Sequence, residues 1–419
     1  MVVYTATHST RGGIQRTFLL AILICFILGI AVGWVVSATA PKDVQTSAAA
    51  WFKAFGDIFV RLIRIVIPPL IFFTIAAATS SIANARRLGM ILVWMLILYI
   101  GTSALAAVWG ILAGQLFAPG VGVGLQPPKD YKPPTPPSGI DILMSFFQTD
   151  FNALLAVGGA MSMIIFAIIL GVGVTLLGDE GRKVAYYLSL GSKTLIQFVR
   201  MIMYYAPIAI FAYAAWLMIS YGPVMLGAYG KFLVAQYSFT LFHFFVIYSI
   251  IVWLGGLNPI KYFKAQFTPF VVAFTTRSSA VTLPVNMDAA RRMGVPEEVF
   301  QVTVPIGATV NMDGTALYQA LSAIFIAQLF GIPLAPYQIS LLVLAAVVGS
   351  VATAAIPGGG TIMLAYVLAV VGLPLEGIGI MLVVDPIADA LRTAVNASGD
   401  NACSVLISRL LGYKLNPQI

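Results

Sequence analysis

Six polar residues, Asp385, Asp389, Arg392, Thr393, Asn396 and Asp400, occur in one otherwise apolar stretch of the sequence. At about 100° per residue on an α-helix they fall within an arc of about 100°, so a helix here carries one polar face. A guanidinium fork suits a carboxylate bidentately, and a carboxylate beside it accepts an ammonium group. Arg392 and Asp389, with hydrogen-bonding groups from Thr393 and Asn396, therefore match a zwitterionic amino acid that bears a second carboxylate. The competing reading is internal, with Asp389 and Arg392 neutralising each other at adjacent turns.

Alkali cations take hard oxygen ligands, which Asn311, Asp313, Asn396 and Asp400 supply together with the carbonyls of unwound helix. For Asp313 alone, capping beside Gly314 is the alternative. Ser278 and Ser279 offer hydroxyls and backbone amides to an anion, and Gly358 to Gly360 permit close backbone approach. Each of these small-residue clusters also fits plain helix packing.

Other chemistries are poorly served. The two histidines, His8 and His243, lie far apart, too few for a zinc or haem centre, and Cys25 and Cys403 sit in apolar stretches that do not suggest a disulfide framework. A hydrolase using Ser278 or Ser279 lacks a histidine or lysine base nearby in sequence. An anion channel lined by Arg277 and Arg392 is the competing non-enzymatic class; flux that saturates with substrate and needs a cation gradient separates a carrier from it.

The elements that position these residues must lie in lipid. The chain has 419 residues, 60% hydrophobic and only 9% charged, too apolar for polar surface to cover. With roughly 20 residues per span, about eight to ten passes fit. A net charge of +8 raises the question of nucleic acid, but the basic residues are not clustered with aromatics on a polar segment. Arg86 and Arg87, Arg182 and Lys183, Lys261 and Lys264, Arg291 and Arg292, and Arg409 with Lys414 alternate between apolar runs, as cytoplasmic loops do, which places both termini in the cytoplasm.

Apolar runs at 17–40, 55–79, 90–117 and 154–177 read as spanning helices, the first retained rather than cleaved as a signal peptide. Between the third and fourth, the proline-rich segment 119–138 reads as an extended extracellular loop. Runs at 195–220 and 232–257 read as ordinary scaffold helices, with Arg61, Arg64 and Arg200 taken as snorkelling or as lipid or subunit contacts. From Pro259 onward small polar residues, glycine and proline interrupt the apolar segments, and such backbone is tolerated at membrane depth only where protein or water satisfies it. Residues 267–284 read as a re-entrant hairpin with a polar tip, 299–330 as a helix broken at Asn311-Met312-Asp313-Gly314-Thr315, 339–371 as a second hairpin, and the polar helix follows. Hairpin then polar helix occurs twice, the pattern of an inverted repeat.

The string NMDGTALYQA from Asn311, with TTRSSAVTLP at Thr275 to Pro284, ATAAIPGGG at Ala352 to Gly360 and DALRTAVNASGD at Asp389 to Asp400, closely resembles the glutamate transporter family, the excitatory amino-acid carriers and their prokaryotic aspartate and dicarboxylate relatives. The order of elements agrees, and a weaker likeness covers most of the chain. The resemblance implies an all-α polytopic homotrimer with eight spanning helices and two re-entrant hairpins per protomer. In it, residues 259–419, the third helix and parts of the sixth move as a transport domain, elevator fashion, against a scaffold formed mainly by the rest of 1–258. It implies substrate contacts from Ser278 and Ser279, Thr315, Gly360, Asp389, Arg392, Thr393 and Asn396, with Arg277 beside them on the first hairpin. Arg392 would hold the side-chain carboxylate and Asp389 the amino group.

Three sodium sites are likewise implied: Gly307, Asn311, Asn396 and Asp400; Thr309, Met312, Ser350, Val351 and Thr353; and Tyr99, Thr102, Ser103, Asn311 and Asp313. The third set, on a distant helix, favours sodium over proton coupling. Arg277 on the hairpin, with Ala390 after Asp389, resembles prokaryotic carriers, and Arg392 argues against the neutral amino-acid branch. The expectation is a sodium-coupled symporter of aspartate or glutamate in a prokaryotic plasma membrane, with a proton-coupled C4-dicarboxylate or glutamate symporter as the alternative.

Overall fold

The structure, a computed structural model, describes residues 3–80, 86–127, 131, 150, 160–353 and 358–418. Half of the proline-rich segment (128–130 and 132–138), the start of the expected fourth span and Ala354 to Pro357 of the second hairpin lie outside the described residues.

The described chain is helical: α1 (Val3–Thr39), α2 (Lys42–Ser80), α3 (Arg86–Phe117), α4 (Ala160–Leu176), α5 (Asp179–Met203), α6 (Ala206–Tyr221), α7 (Pro223–Phe242), a π-helical turn (His243–Ile247), α8 (Tyr248–Leu254), α9 (Pro259–Thr276), α10 (Ser279–Arg292), α11 (Glu297–Val310), α12 (Asp313–Leu329), α13 (Pro336–Val351), α14 (Gly359–Val371) and α15 (Gly377–Leu410). Proline starts several of them. Pro223, Pro259 and Pro336 stand in the first turns of α7, α9 and α13, where a missing N–H costs nothing, and the Asn258 side chain caps α9 by accepting from the Ile260 N–H at 2.8 Å.

One expected span is corrected. The run 195–220 is not one helix, because α5 and α6 meet at a 50° bend around Tyr204 and Tyr205. Pro207, in the first turn of α6, has no N–H to bond back across the joint. The run 232–257 does lie on one continuous span, Pro223–Leu254, which carries a π turn where the Tyr248 N–H reaches the His243 carbonyl five residues back. Four described helices are long and apolar enough to cross a bilayer, or five with the α5 and α6 pair counted as one span. The segments from Pro259 onward fail that measure because they are short or carry buried polar residues.

α1, α2, α4, α5 and α6 pack on one another, and α3 with α7 to α15 forms a second packed group. Glycine sets one approach that the site needs: a Cβ on Gly110 would sit 2.3 Å from the Leu317 carbonyl oxygen, so α3 lies directly on α12. The outer surface suits lipid. Ile27, Ile65, Leu116, Leu176, Met201 and Trp253 are all more than half exposed, a distribution that water would penalise. Arg64, expected to snorkel, instead pairs with Glu376 at 3.4 Å across the two groups.

Candidate functional site

Three helix N-termini meet at one small cavity. Its walls include Ser279 from the first turn of α10, Thr315 from that of α12 and Gly360 from that of α14. Each N-terminus leaves backbone N–H groups without intrahelical partners and carries the positive end of its dipole, so their convergence favours a bound anion. The chain breaks where it does for local reasons. Arg277 turns the α9–α10 hairpin in the left-handed region at φ 50, and its Nη1 donates to the Pro386 carbonyl at 3.2 Å. Asn311 and Met312 interrupt the next helix, and Gly358, at φ 79, leads into α14.

The far wall is the polar face of α15: Asp389, Arg392, Thr393 and Asn396. Asn396 and Thr315 are reciprocally bonded, the Thr315 N–H donating to Asn396 Oδ1 at 3.2 Å and Asn396 Nδ2 to Thr315 Oγ1 at 2.9 Å. The broken helix is thereby pinned to α15. The Gly358 N–H donates to Asp389 Oδ2 at 3.3 Å, which ties in the second hairpin.

Arg392, only 1% exposed, is the centre of this arrangement. Its Nε and Nη2 donate to Asp389 Oδ1 at 3.1 and 2.6 Å, and Nη2 also pairs with Asp385 Oδ1 at 3.0 Å. The guanidinium stacks over Tyr318, 4.3 Å from the ring centroid, and Gly360 approaches it closely. Nη1 has no partner. An unpaired buried N–H costs about 1–3 kcal/mol in a neutral group and more in a charged one, a cost that a carboxylate reaching it would recover.

A second polar cluster lies deeper. Asp313 Oδ1 accepts from Thr102 Oγ1 at 2.9 Å and Ser103 Oγ at 2.8 Å, both from α3; Oδ2 accepts from Tyr248 Oη at 2.9 Å and His243 Nε2 at 3.2 Å. Tyr99 Oη donates to the Thr303 carbonyl at 2.9 Å, close to Gly307, where a Cβ would sit 2.4 Å from Asp400 Oδ1. Asp400 accepts from the amides Asn311 Nδ2 at 3.2 Å and Asn286 Nδ2 at 3.5 Å, while Asn311 Oδ1 is buried without a partner. Among the described residues neither Asp313 nor Asp400 pairs with a lysine or arginine, so two buried carboxylates and an orphaned amide oxygen fit a small hard cation.

Of the residues nominated for substrate, all but Ser278 line the cavity; Ser278 caps α10, its Oγ accepting from the Val281 N–H at 3.4 Å. The structure brings together Tyr99, Thr102, Ser103, Gly307, Asn311, Asp313 and Asp400 as above. The remaining cation set is more dispersed. Met312 and Thr353 line the cavity, the hydroxyls of Ser350 and Thr353 turn back to carbonyls of their own helix, Val351 ends α13, and the Thr309 side chain is exposed and bonds to Ile306 O.

Sequence reasoning missed His243 and Tyr248, which it assigned to a scaffold helix, although a histidine within an apolar span is itself a signal. It also missed the network of Gln266, Asn286 and Asn401, in which Asn401 Nδ2 donates to Gln266 Oε1 and Asn286 Oδ1, both at 2.8 Å, fastening the first hairpin to α15 beside Asp400.

The sodium:dicarboxylate symporter family matches residues 18–410. The chain is 30% identical over 400 residues to a proton/sodium-glutamate symport protein of Bacillus caldotenax, covering 93% of this chain and 94% of the relative. It is 31% identical over 365 residues to a proton/glutamate-aspartate symporter of Escherichia coli (84% and 83% covered), and 28% over 410 residues to a C4-dicarboxylate transport protein of Rhodopseudomonas palustris (96% and 91%).

Proposed function

The chain belongs to the sodium:dicarboxylate symporter family, and from that premise we propose that it couples sodium entry to the uptake of an acidic amino acid, aspartate or glutamate. It is a transporter rather than an enzyme, and a multi-pass membrane protein of the glutamate and dicarboxylate symporter type.

The observation that carries the reading is the unpartnered Nη1 of Arg392 at a cavity ringed by three helix N-termini, with Asp389 bonded to the same guanidinium. Arg392 and Asp389 form an ion pair, with Asp385 as the guanidinium's second carboxylate and Nη1 left over. A zwitterion with a side-chain carboxylate exchanges that pair: its carboxylate takes the guanidinium and its ammonium takes Asp389, so neither buried charge is left alone. The main-chain carboxylate then meets the N-terminal turns of α10 and α14, with Thr393 and Asn396 bonding around it. Arg277 adds positive charge at the rim.

Sodium is the coupled cargo. Asp313 with Thr102, Ser103 and Tyr99, and Asp400 with Asn311, Asn396 and Gly307, offer hard oxygens that lack a fixed counter-cation; Thr309, Met312, Ser350, Val351 and Thr353 form the third set by family likeness. Coupling requires that the hairpins close better over the loaded site than over a partly loaded one, since a ligand favours only the state it binds more tightly. In this reading α1, α2 and α4 to α6 form the fixed scaffold of a homotrimer in a prokaryotic plasma membrane, with both termini cytoplasmic. The group of α3 and α7 to α15 moves past it as an elevator.

The relatives named a C4-dicarboxylate transport protein and a proton/glutamate-aspartate symporter favour a second reading, proton-coupled uptake of a C4-dicarboxylate or of glutamate. Uptake of radiolabelled aspartate into proteoliposomes, with sodium, potassium and proton gradients imposed separately, decides between them. Concentrative, saturable uptake under a sodium gradient is expected; uptake driven by protons alone overturns the sodium assignment.

A further inference from the structure

Asp313 opens α12 directly after the Asn311–Met312 break, so no preceding turn of its own helix holds it. Its carboxylate nevertheless has four donors, arranged unequally, of which Thr102 and Tyr248 also reach the Tyr99 and Val395 carbonyls, at the longer distances of 3.3 and 3.2 Å. On Oδ1 both donors are hydroxyls, Thr102 and Ser103, whose oxygens keep lone pairs for a cation and whose protons rotate. On Oδ2 the donors are His243 and Tyr248. A carboxylate oxygen only accepts, so Nε2 carries the proton toward it and has no lone pair to offer a metal.

These two residues stand five apart, and in a continuous α-helix they would point about 140° away from each other. The π turn closes over one extra residue, with the Tyr248 N–H bonded to the His243 carbonyl, and brings both side chains to one carboxylate oxygen. Their rings meet edge to face at 5.0 Å between centroids, and both are at most 1% exposed.

We propose that the π turn exists to anchor Asp313: His243 and Tyr248 are positioning residues that hold Oδ2, so that Oδ1, flanked by Thr102 and Ser103, is presented to sodium in a fixed orientation. The proposal rests on the sodium-coupled reading above. Partners that orient a ligand characteristically change metal affinity by about 10- to 100-fold when removed.

The test measures sodium affinity without transport. The purified full-length protein, free of amino acid, is titrated with sodium while its thermal stability is followed, since an ion that binds only the folded state raises the melting temperature by mass action. Tyr248→Phe and His243→Leu are each expected to raise the half-saturating sodium concentration by about tenfold or more. His243→Gln, which restores an N–H donor, is expected to recover most of that loss. An unchanged sodium midpoint in Tyr248→Phe and His243→Leu, with a normal wild-type response, overturns the anchoring role. An equal loss in His243→Gln and His243→Leu overturns it too, by assigning His243 to packing alone. If His243→Leu does not fold, the nearly isosteric Tyr248→Phe decides. Failure of the wild-type protein to respond to sodium overturns the sodium reading, and the anchor with it.

Discussion

Replacing Gly360 with alanine adds one methyl group at the most informative point of the cavity. Built on the present backbone, the new Cβ lies 3.0 Å from Arg392 Cζ, 3.1 Å from Arg392 Nη1 and 3.2 Å from Thr315 Cγ2. Those separations are a few tenths of an ångström too short, so the guanidinium must shift or the methyl must cover the Nη1 hydrogens. The fold itself should tolerate the change. Gly360 stands in the first turn of α14, where alanine gains up to about 1 kcal/mol of helix propensity over glycine, set against about 1–3 kcal/mol for overpacking. Net stability therefore falls by about 3 kcal/mol or less. Substrate affinity should not be spared. A hydrogen bond from a charged donor contributes about 1.5–3 kcal/mol, and its loss from Nη1 weakens binding by about 10- to 150-fold. The assay pairs the aspartate KM in proteoliposomes with the melting temperature of the detergent-solubilised protein without substrate. A wild-type KM in Gly360→Ala refutes the assignment of Nη1 to the substrate carboxylate; a fall in both KM-based affinity and melting temperature by large amounts refutes the claim that the effect is local.

Further outcomes follow from the same geometry. Arg392→Cys should lower aspartate uptake, as kcat/KM, by more than about 100-fold through the loss of two charge-assisted bonds, while admitting neutral amino acids as competitors; unchanged aspartate uptake contradicts the site. Asp389→Asn removes the acceptor for an ammonium group, so competition assays should show aspartate weakened by about tenfold or more while a four-carbon dicarboxylate is much less affected; equal weakening of both argues against the ion-pair exchange. Asn401→Leu strips donors from Gln266 and Asn286 in a fully buried network and should cost about 1–3 kcal/mol, visible as a lower melting temperature at unchanged substrate KM.

Some of this was legible in the chain because the physics is local. The polar face of α15 follows from helical periodicity over residues 385–400, and all six residues named on it are buried in the structure. The breaks at Asn311–Met312 and at the first hairpin tip follow from residues that disfavour continued helix. The 195–220 run misled because hydropathy does not register one proline, Pro207, at a joint. His243 was passed over as a lone histidine too far from any other for a metal site, and its aromatic surroundings, Phe242 to Tyr248, look like any buried helix.

The sequence by itself therefore determined a lipid-embedded chain, a polar helical face with a guanidinium among carboxylates, and the places where helices must stop. Its likeness to known carriers, rather than any periodicity, nominated Thr102 and Ser103. Only the tertiary structure decided which groups meet. The four donors of Asp313 come from positions 65 to 211 residues away, and the choice between an internal Arg392–Asp389 pair and an open substrate site became a question of one unpartnered nitrogen beside Gly360. Such contacts depend on how closely α3 seats on α12 and how far the π turn rotates the chain after it. Those quantities belong to packed helices and leave no periodic trace along a single one.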